Sequence, residues 1–582
     1  MKLSVVALDY DGTIAENGLL HDEMPAVIGE LRQRGISVVI VTGRRLSDLR
    51  AVAGDLRCVD AVIAENGAVF AIPGTGHSTA FGSPPAPRFL EALKQRGVPF
   101  AGGECVVESD ARFAELILQT IRDLELPLVL AFNRGRVMVL PQGINKATGL
   151  RDGLAMLRLS LHNTLGIGDA ENDHELLRVC EVGAAVQWAS TSLKEIADEV
   201  IDGDGPAAVA RYLRRVLAKP LMWRSGRGRR RVLMGRSDGD HAVSLVVRGR
   251  NVLVTGEPKS GKSWAAGLLA ERLILQRYAV CVIDPEGDYR ALESLPGVTI
   301  FGGDDPAPTP RAILKAFRHP DASGVIDLSQ LCHADKVDYV RALLPTLARL
   351  RNLTGLPHRI VLDEAHYFLQ DPDLVRELDL ALGGYTFVTY RVSGLHPNVL
   401  SATEAIVVTR QTDPRELQWL QAAVAPAALP DDIDRLPAGR AVLFSEISEA
   451  RVVAQPFDLA TRLTSHVRHR SKYIDVPVPS SRAFVFTEKG ASVGTRAATL
   501  NDLISGLAAA GRETIDGHLR RHDFSRWLTD VFGDHVLGAE IRGLENRHRL
   551  ESVVDIRESI INAIGVRYET VDPGGFSAQP PF

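Results

Sequence analysis

Cysteine is scarce in this chain. Five occur in 582 residues, Cys58, Cys105, Cys180, Cys281 and Cys332, and no two stand close enough for a C-x-x-C metal or redox pair. An odd, scattered set argues against a disulfide framework and fits the reduced thiols of a cytoplasmic protein. Neither sign of charge dominates. Lys and Arg total 67 against 72 Asp and Glu, a net −5, so global charge gives no footing for nucleic acid and only a local patch could. No uninterrupted apolar run is long enough to span a bilayer, so no membrane partner is expected. The opening residues lack a basic stretch followed by a long apolar one, because Asp9 and Asp11 break the first apolar run. Internal repeats and long low-complexity tracts are absent as well. What the chain has is length. It is too long for one hydrophobic core, and three to four domains are expected.

Near the middle, residues 251–263 read Asn-Val-Leu-Val-Thr-Gly-Glu-Pro-Lys-Ser-Gly-Lys-Ser. An apolar strand runs into a glycine-bracketed loop, and Lys262-Ser263 open a helix predicted over 264–272. The pattern is G-x-x-x-x-G-K-S. In such a loop the backbone of Gly256, Glu257, Pro258, Lys259, Ser260 and Gly261 wraps the phosphates, with every N–H but that of Pro258, which has none, free to face them and the helix N-terminus behind. Lys262 reaches the outer phosphates, and the Ser263 hydroxyl holds Mg²⁺.

The first 215 residues carry four strand-end motifs. A strand over 3–8 ends in Asp9-Tyr10-Asp11-Gly12-Thr13, one over 37–41 in Thr42-Gly43-Arg44, and one over 61–64 in Glu65-Asn66-Gly67. Later, residues 164–168 lead into Asp169-Ala-Glu-Asn-Asp173. Strands alternating with helices imply a doubly wound parallel sheet, whose ligands lie beyond the carboxyl ends of its strands. A carboxylate there can attack a phosphoryl group, a role assigned to Asp9. Asp11 can protonate the leaving alkoxide and then take a proton from water. Thr42 and Lys146 can hold the transferred oxygens. Asp169 and Asp173, with the first aspartates, offer hard oxygen ligands to Mg²⁺.

These residues resemble the haloacid dehalogenase (HAD) superfamily of phosphatases, whose four motifs occur here in order: residues 9–13, Thr42-Gly43-Arg44, Lys146 in Gly-Ile-Asn-Lys-Ala, and residues 168–173. The resemblance implies Asp9 and Asp11 as catalytic pair, Asp9, Asp11, Asp169 and Asp173 around the metal, and Thr42, Gly43, Arg44 and Asn172 about the phosphate. Ala147 departs from the Gly that many relatives have after the lysine. Residues 73–140 read as a small α+β unit and resemble the C2-type cap of Cof-like members, which closes over small phosphorylated metabolites, often sugar phosphates. Arg134 and Arg136 in its last hairpin are candidate substrate contacts, or a solvated hairpin.

Residues 218–231 form a basic, glycine-bearing connector with Arg224, Arg227, Arg229, Arg230 and Arg231, either a phosphate-backbone contact or a solvated linker. Beyond the phosphate loop, a strand over 279–283 ends in Asp-Pro-Glu-Gly-Asp-Tyr, and one over 359–362 in Asp363-Glu364-Ala-His366. Asp363 is placed to complete the Mg²⁺ shell of Ser263, and Glu364 to orient the attacking water. With the Val-Thr-Tyr-Arg-Val-Ser-Gly-Leu-His-Pro stretch at 388–397, this order resembles the FtsK/HerA/VirB4 branch of P-loop ATPases. The resemblance implies a RecA/HerA-like α/β domain over 232–455, ATP as ligand or substrate, a homo-oligomeric ring (usually a hexamer), and Arg391 or Arg410 as an arginine supplied across a subunit boundary. Tyr390 stands where that branch commonly has a Gln sensor.

After residue 456 the alternation stops. A linker over 456–482 leads to a mainly helical accessory unit over 483–570 and a tail over 571–582, with one strand predicted over 483–486 and helices over 500–510, 523–532 and 540–564. His518, His522 and Asp523 are read as packing residues before a metal set. The expected fold is thus multidomain α/β: a HAD core over 1–72 and 141–217, a cap over 73–140, the P-loop domain, and a small helical C-terminal domain. The favoured function is Mg²⁺-dependent hydrolysis of a small phosphomonoester joined to ATP binding and hydrolysis. The alternatives are a DNA-associated translocase with a regulatory or end-processing HAD domain, and an assembly protein holding ATP as a structural ligand.

Overall fold

The computed structural model describes residues 2–54, 56–133, 135–218, 230–445, 452–464, 478, 482–488, 491–531, 535–550 and 556–567. Its first sheet has eight strands in the order Glu199–Ile201, Val182–Val186, Thr164–Gly168, Val5–Asp9, Ser37–Val41, Ala61–Ala64, Val69–Ile72 and His77–Ala80. The first six are parallel. Both faces are covered by helices, which is why Val5–Asp9 is apolar up to its last residue and buried throughout. The chain leaves Val5–Asp9 to one side through Ser37–Val41 and returns on the other through Thr164–Gly168. Asp9 therefore ends the strand at which the winding reverses, the position where open α/β sheets hold ligands.

The last two strands form an antiparallel hairpin on this sheet. A core boundary at residue 72 therefore falls inside the hairpin, because edge-strand pairing holds His77–Ala80 to the core. The separate cap begins near residue 82. It has a four-stranded antiparallel sheet, ordered Leu128–Asn133, Arg136–Pro141, Val107–Asp110 and Ala101–Gly102, and the helices Pro87–Gln95 and Ala114–Asp123. Phe89, Leu93, Ile117, Val137 and Val139 give it a core of its own.

A second sheet of eleven strands carries the phosphate loop. Asn251–Thr255 lies between Tyr385–Thr389 and Thr403–Val408, and Arg359–Leu362 and Val280–Asp284 follow on the Tyr385–Thr389 side. Strand Val453–Leu459 pairs with both Arg440–Ser445 and Arg231–Arg236. The unit runs past the expected limit of 455, since Trp264 donates to Ala460 O and Glu271 accepts the N–H groups of Leu463 and Thr464.

In the C-terminal unit the strand predicted over 483–486 is half of a hairpin, Phe484–Glu488 with Ala491–Ala497. Helix Arg512–Arg520 is additional, and the helix predicted over 540–564 is two, His535–Leu550 and Arg557–Arg567. His518 Nε2 accepts the Thr487 N–H at 2.9 Å and Nδ1 meets Asp523 at 2.8 Å, whereas His522 meets Glu545 at 3.1 Å. The two imidazoles are spent on separate packing contacts. Among the described residues no helix is long and apolar enough to cross a membrane.

The two sheets meet at the amino ends of their strands. Glu181, just before Val182–Val186, is buried where the units join. Its carboxylate accepts from Tyr278 Oη at 2.9 Å, lies 2.9 Å from His162 Nδ1 and pairs with Arg230 at 3.2 Å, while its carbonyl accepts from Arg248. The His162 ring stacks on Tyr278 with centroids 3.7 Å apart. His358, before Arg359–Leu362, accepts the Ala279 N–H and faces Ser160 and Asn163. Burial, then His162, pushes its imidazole well below the usual range. Arg230 of the basic connector is thus engaged at this joint, whereas Arg224, Arg227 and Arg229 lie outside the described residues.

Burial opposes ionisation of Glu181, but His162, Arg230 and Arg248 hold its carboxyl from 4.5 down to about 2. A carboxyl depressed on folding contributes its full stability above pH 4.5 and loses it as pH falls toward 2. Glu181→Gln is therefore expected to cost roughly 3 kcal/mol at pH 7, because two arginines lose their buried counter-charge. Melting curves of both proteins between pH 7 and pH 3 should converge on the acid side. A constant gap across that range would contradict the pairing.

Candidate active sites

Four separate stretches converge at the carboxyl ends of the first sheet. Lys146 opens helix Lys146–Met156, whose N-cap Asn145 closes a capping box with Thr148, and its ammonium is buried. Nζ lies 2.5 Å from Asp9 Oδ1 and 2.7 Å from Asp173 Oδ1. The other Asp173 oxygen accepts the N–H groups of Asp169 and Ala170 at 3.0 and 2.9 Å, which turns the loop around its own carboxylate. Thr13 Oγ1 donates to Asp169 Oδ1 at 3.3 Å. Oxygen atoms of Asp9, Asp169 and Asp173 lie within 4.8 Å of one another.

Burial first, then the charge of Asp173, pushes the Asp9 carboxyl well above the usual carboxylate range against the pull of Lys146. Burial pulls the Lys146 ammonium the other way, but Asp173 and Asp9 more than offset it and hold the lysine protonated. Three buried carboxylates stand together, and two of them share the Lys146 ammonium. That surplus of negative oxygen donors suits a hard divalent cation.

Asp11 is not part of this cluster. Its side chain is held in a two-bond fork by Arg44, Nε to Oδ2 and Nη2 to Oδ1, both at 2.6 Å. Asp11, expected at the metal, and Arg44, expected at the phosphate, here meet each other in the charge-matched fork that guanidinium and carboxylate favour. Thr42 is buried, and its hydroxyl accepts the Arg44 N–H at 3.1 Å. Asn172 donates to Asn66 Oδ1 at 3.1 Å. The cap lies over this cleft. Met138 reaches Gly43, whose added Cβ would stand 3.5 Å from Sδ. Of the two hairpin arginines, Arg136 is paired with Glu108 at 2.8 Å and Arg134 lies outside the described residues. Sequence reasoning passed over Met138, because a single apolar residue in a strand carries no sign that it faces a cleft.

In the second sheet, Gly261 at φ 107° turns the loop into helix Lys262–Leu275. Ser260 Oγ donates to Glu257 O and meets Thr409 Oγ1, both at 2.6 Å. Lys262 Nζ lies 3.9 Å from Glu364 Oε1 and 5.9 Å from the centre of the Tyr390 ring. His366 packs edge-on against Tyr390 and meets Thr389 Oγ1 at 3.0 Å. Asp363 and Glu364 are buried, Glu364 at φ 44°. Arg410 is bound within its own chain to Glu257, which also accepts from Thr412 Oγ1. Of the two arginines expected as candidates to reach across a boundary, Arg410 is thus tied to its own phosphate loop, whereas Arg391 is exposed.

Comparison with known proteins divides the chain the same way. The haloacid dehalogenase-like hydrolase family matches residues 6–101 and 104–213, and the helicase HerA central-domain family matches residues 248–341. A phosphoglycolate phosphatase from Methanopyrus kandleri is 28% identical over 246 residues, 37% of this chain and 97% of its own length. A 5-amino-6-(5-phospho-D-ribitylamino)uracil phosphatase from Bacillus subtilis is 25% identical over 241 residues, 37% of this chain and 96% of its own. Among solved structures, a haloacid dehalogenase-like hydrolase from Bacteroides thetaiotaomicron is 16% identical, covers 37% of this chain and all of its own, and has a TM-score of 0.32. The N-terminal part of this polypeptide thus matches the haloacid dehalogenase-like hydrolases, and a match to the HerA central domain follows it.

Proposed function

We propose that the N-terminal domain is a Mg²⁺-dependent phosphomonoester hydrolase acting on a small phosphorylated metabolite, and that the second domain binds and hydrolyses ATP. The observation that carries the first half is the convergence of Asp9, Lys146, Asp169 and Asp173, 164 positions apart at most in sequence, on one buried cluster under a cap. The relatives' names support the substrate class: one acts on phosphoglycolate and another on a phosphorylated ribityl compound. They differ in the body of the substrate and share its phosphate.

Lys146 holds Asp9 Oδ1, which orients the carboxylate for attack on phosphorus. The Asp9 O–P bond forms as the P–O bond to the leaving group breaks, and Asp11 delivers a proton to the departing oxygen. Water then attacks the aspartyl phosphate, Asp11 takes its proton, and inorganic phosphate leaves. The Arg44 fork occupies both Asp11 oxygens, so it must open as substrate enters and let Asp11 take up from solvent the proton it then delivers. Thr42 and Lys146 hold the phosphoryl oxygens, with Gly43 and Asn172 at the rim. Asp9, Asp169 and Asp173 would hold the cation. When bound, it offsets their repulsion of the incoming phosphate.

For the second domain, the loop 256–263 would hold the triphosphate, Lys262 its outer phosphates, Ser263 and Asp363 a Mg²⁺, and Glu364 would orient the attacking water. The HerA match favours one further reading, a nucleic-acid-dependent ring ATPase with Arg391 as the arginine crossing between subunits.

A panel of phosphoglycolate, sugar phosphates and phosphorylated ribityl compounds tests the first half. Phosphate release that needs Mg²⁺ and stops with EDTA is expected for at least one compound. Silence across the panel with an intact, folded protein would overturn it. ATPase activity stimulated by DNA and weakened by salt decides for the ring motor.

A further inference from the structure

The turn Glu65-Asn66-Gly67 takes no part in the chemistry above, yet its backbone is unusual. Three consecutive residues stand at positive φ: 54°, 53° and 107°. Two of them carry side chains, for which this region is costly, and such strain persists only where surrounding contacts fix it.

Those contacts reach three of the four stretches that build the first site. Glu65 N–H donates to Arg44 O and Asn66 N–H to Thr42 O, at 2.8 and 3.0 Å. Asn66 Oδ1 accepts from Asn172, beside Asp173. Gly67 lies against the helix of Lys146, where a Cβ would stand 2.0 Å from Asn145 O. The Glu65 side chain points the other way, into the cap. Oε1 accepts the N–H of Glu104 at 2.8 Å, and Oε2 accepts those of Cys105 and Val106 at 2.8 and 3.2 Å.

Three successive backbone donors around one carboxylate form an anion nest, filled here by a buried side chain of the other subdomain. Gly103 makes the wrap possible, since a Cβ there would meet Glu65 Oε1 at 2.4 Å. The nest sits at the cap's attachment. Cys105 Sγ lies 3.1 Å from Gly82 O, and a Cβ on Gly82 would touch Pro141, so the entering and leaving strands of the cap pass beside it.

We propose that Glu65 is a positioning residue: it anchors the cap's pivot to the turn that also seats Lys146, Thr42 and Asn172, and so sets how the closed cap addresses the substrate. Its kinetic consequence rests on the phosphatase reading above. The anchor itself does not.

The test compares Glu65→Ala and Glu65→Gln with the wild type on two substrates, the best metabolite found and acetyl phosphate, whose body is too small to engage the cap. Glu65→Ala is expected to lower kcat/KM about a hundredfold on the metabolite, the effect of roughly 1 Å of misplacement, and less than about fivefold on acetyl phosphate. Glu65→Gln, which keeps one acceptor oxygen, recovers part of the loss. Amide hydrogen exchange at residues 104–106 should quicken by about tenfold or more in Glu65→Ala. Equal loss on both substrates, or unchanged exchange at 104–106 in Glu65→Ala, overturns the proposal. A wild type inactive on every phosphate ester would defeat the phosphatase reading, and the exchange rates would still decide the anchor.

Discussion

Asp9→Asn is expected to reduce phosphate release by about 10⁴-fold or more while leaving the protein folded and its ATP binding unchanged. The amide has nearly the shape of the carboxylate and keeps an oxygen for Lys146, which lies 2.5 Å away. It lacks the negative charge that makes a carboxylate oxygen a nucleophile toward phosphorus. The fold should not suffer. Burial and the charges of Asp173 and Asp169 raise the Asp9 carboxyl, so ionised Asp9 is a cost in metal-free protein that neutral Asn removes. Thermal stability without metal should therefore be equal or higher. Steady p-nitrophenyl phosphate turnover in the variant, at more than a per cent of the wild type, would mean that the nucleophile lies elsewhere.

Lys262→Ala should give the converse: ATP turnover lower by about a hundredfold or more, and phosphatase activity unchanged. In the structure Lys262 is the cation beside Glu364, 3.9 Å away, under the Tyr390 ring. Its loss removes the charge that meets the outer phosphates and leaves a buried acid without that neighbour. The joint between the domains explains why the other activity should survive. Glu181, His162, Tyr278 and His358 all precede strands, whereas Asp9, Asp169 and the phosphate loop follow them, so the two clefts open away from each other. Wild-type ATPase rates in the variant would remove the loop from the mechanism. A parallel fall in phosphatase activity would show that the joint transmits more than stability.

The two alanine and asparagine variants also separate the readings of the whole chain. An assembly protein that uses ATP only as a structural ligand would bind nucleotide through Lys262 and show no turnover to lose. A translocase would lose DNA-stimulated turnover in Lys262→Ala and keep it in Asp9→Asn.

Several parts of this were legible in the residues alone. The strands are short apolar runs ended by Asp, Thr-Gly or Gly-rich turns, because a parallel strand covered on both faces tolerates polar groups only where it emerges. Asp9, Thr42 and Asp169 could be placed at strand ends without coordinates. The G-x-x-x-x-G-K-S loop was equally plain, since phosphate binding by backbone demands that spacing.

Tertiary structure decided what local pattern cannot encode. That Asp11 faces Arg44 instead of the metal-type cluster depends on side-chain direction across two strands. The hairpin Val69–Ile72 and His77–Ala80 belongs to the core because its partner strand is there, and Val453–Leu459 extends the second unit for the same reason. Glu65 reads in sequence as a turn residue beside Asn-Gly, and only the fold brings the nest of residues 104–106 onto its carboxylate. The joint around Glu181 was invisible for a like reason: its partners lie 19 to 97 positions away, in segments that precede strands of two different sheets. The sequence by itself determined the kinds of chemistry present, because those rest on residue type and short spacing. The fold determined which groups meet, because hydrogen bonds and ion pairs across long loops depend on how whole sheets and helices pack.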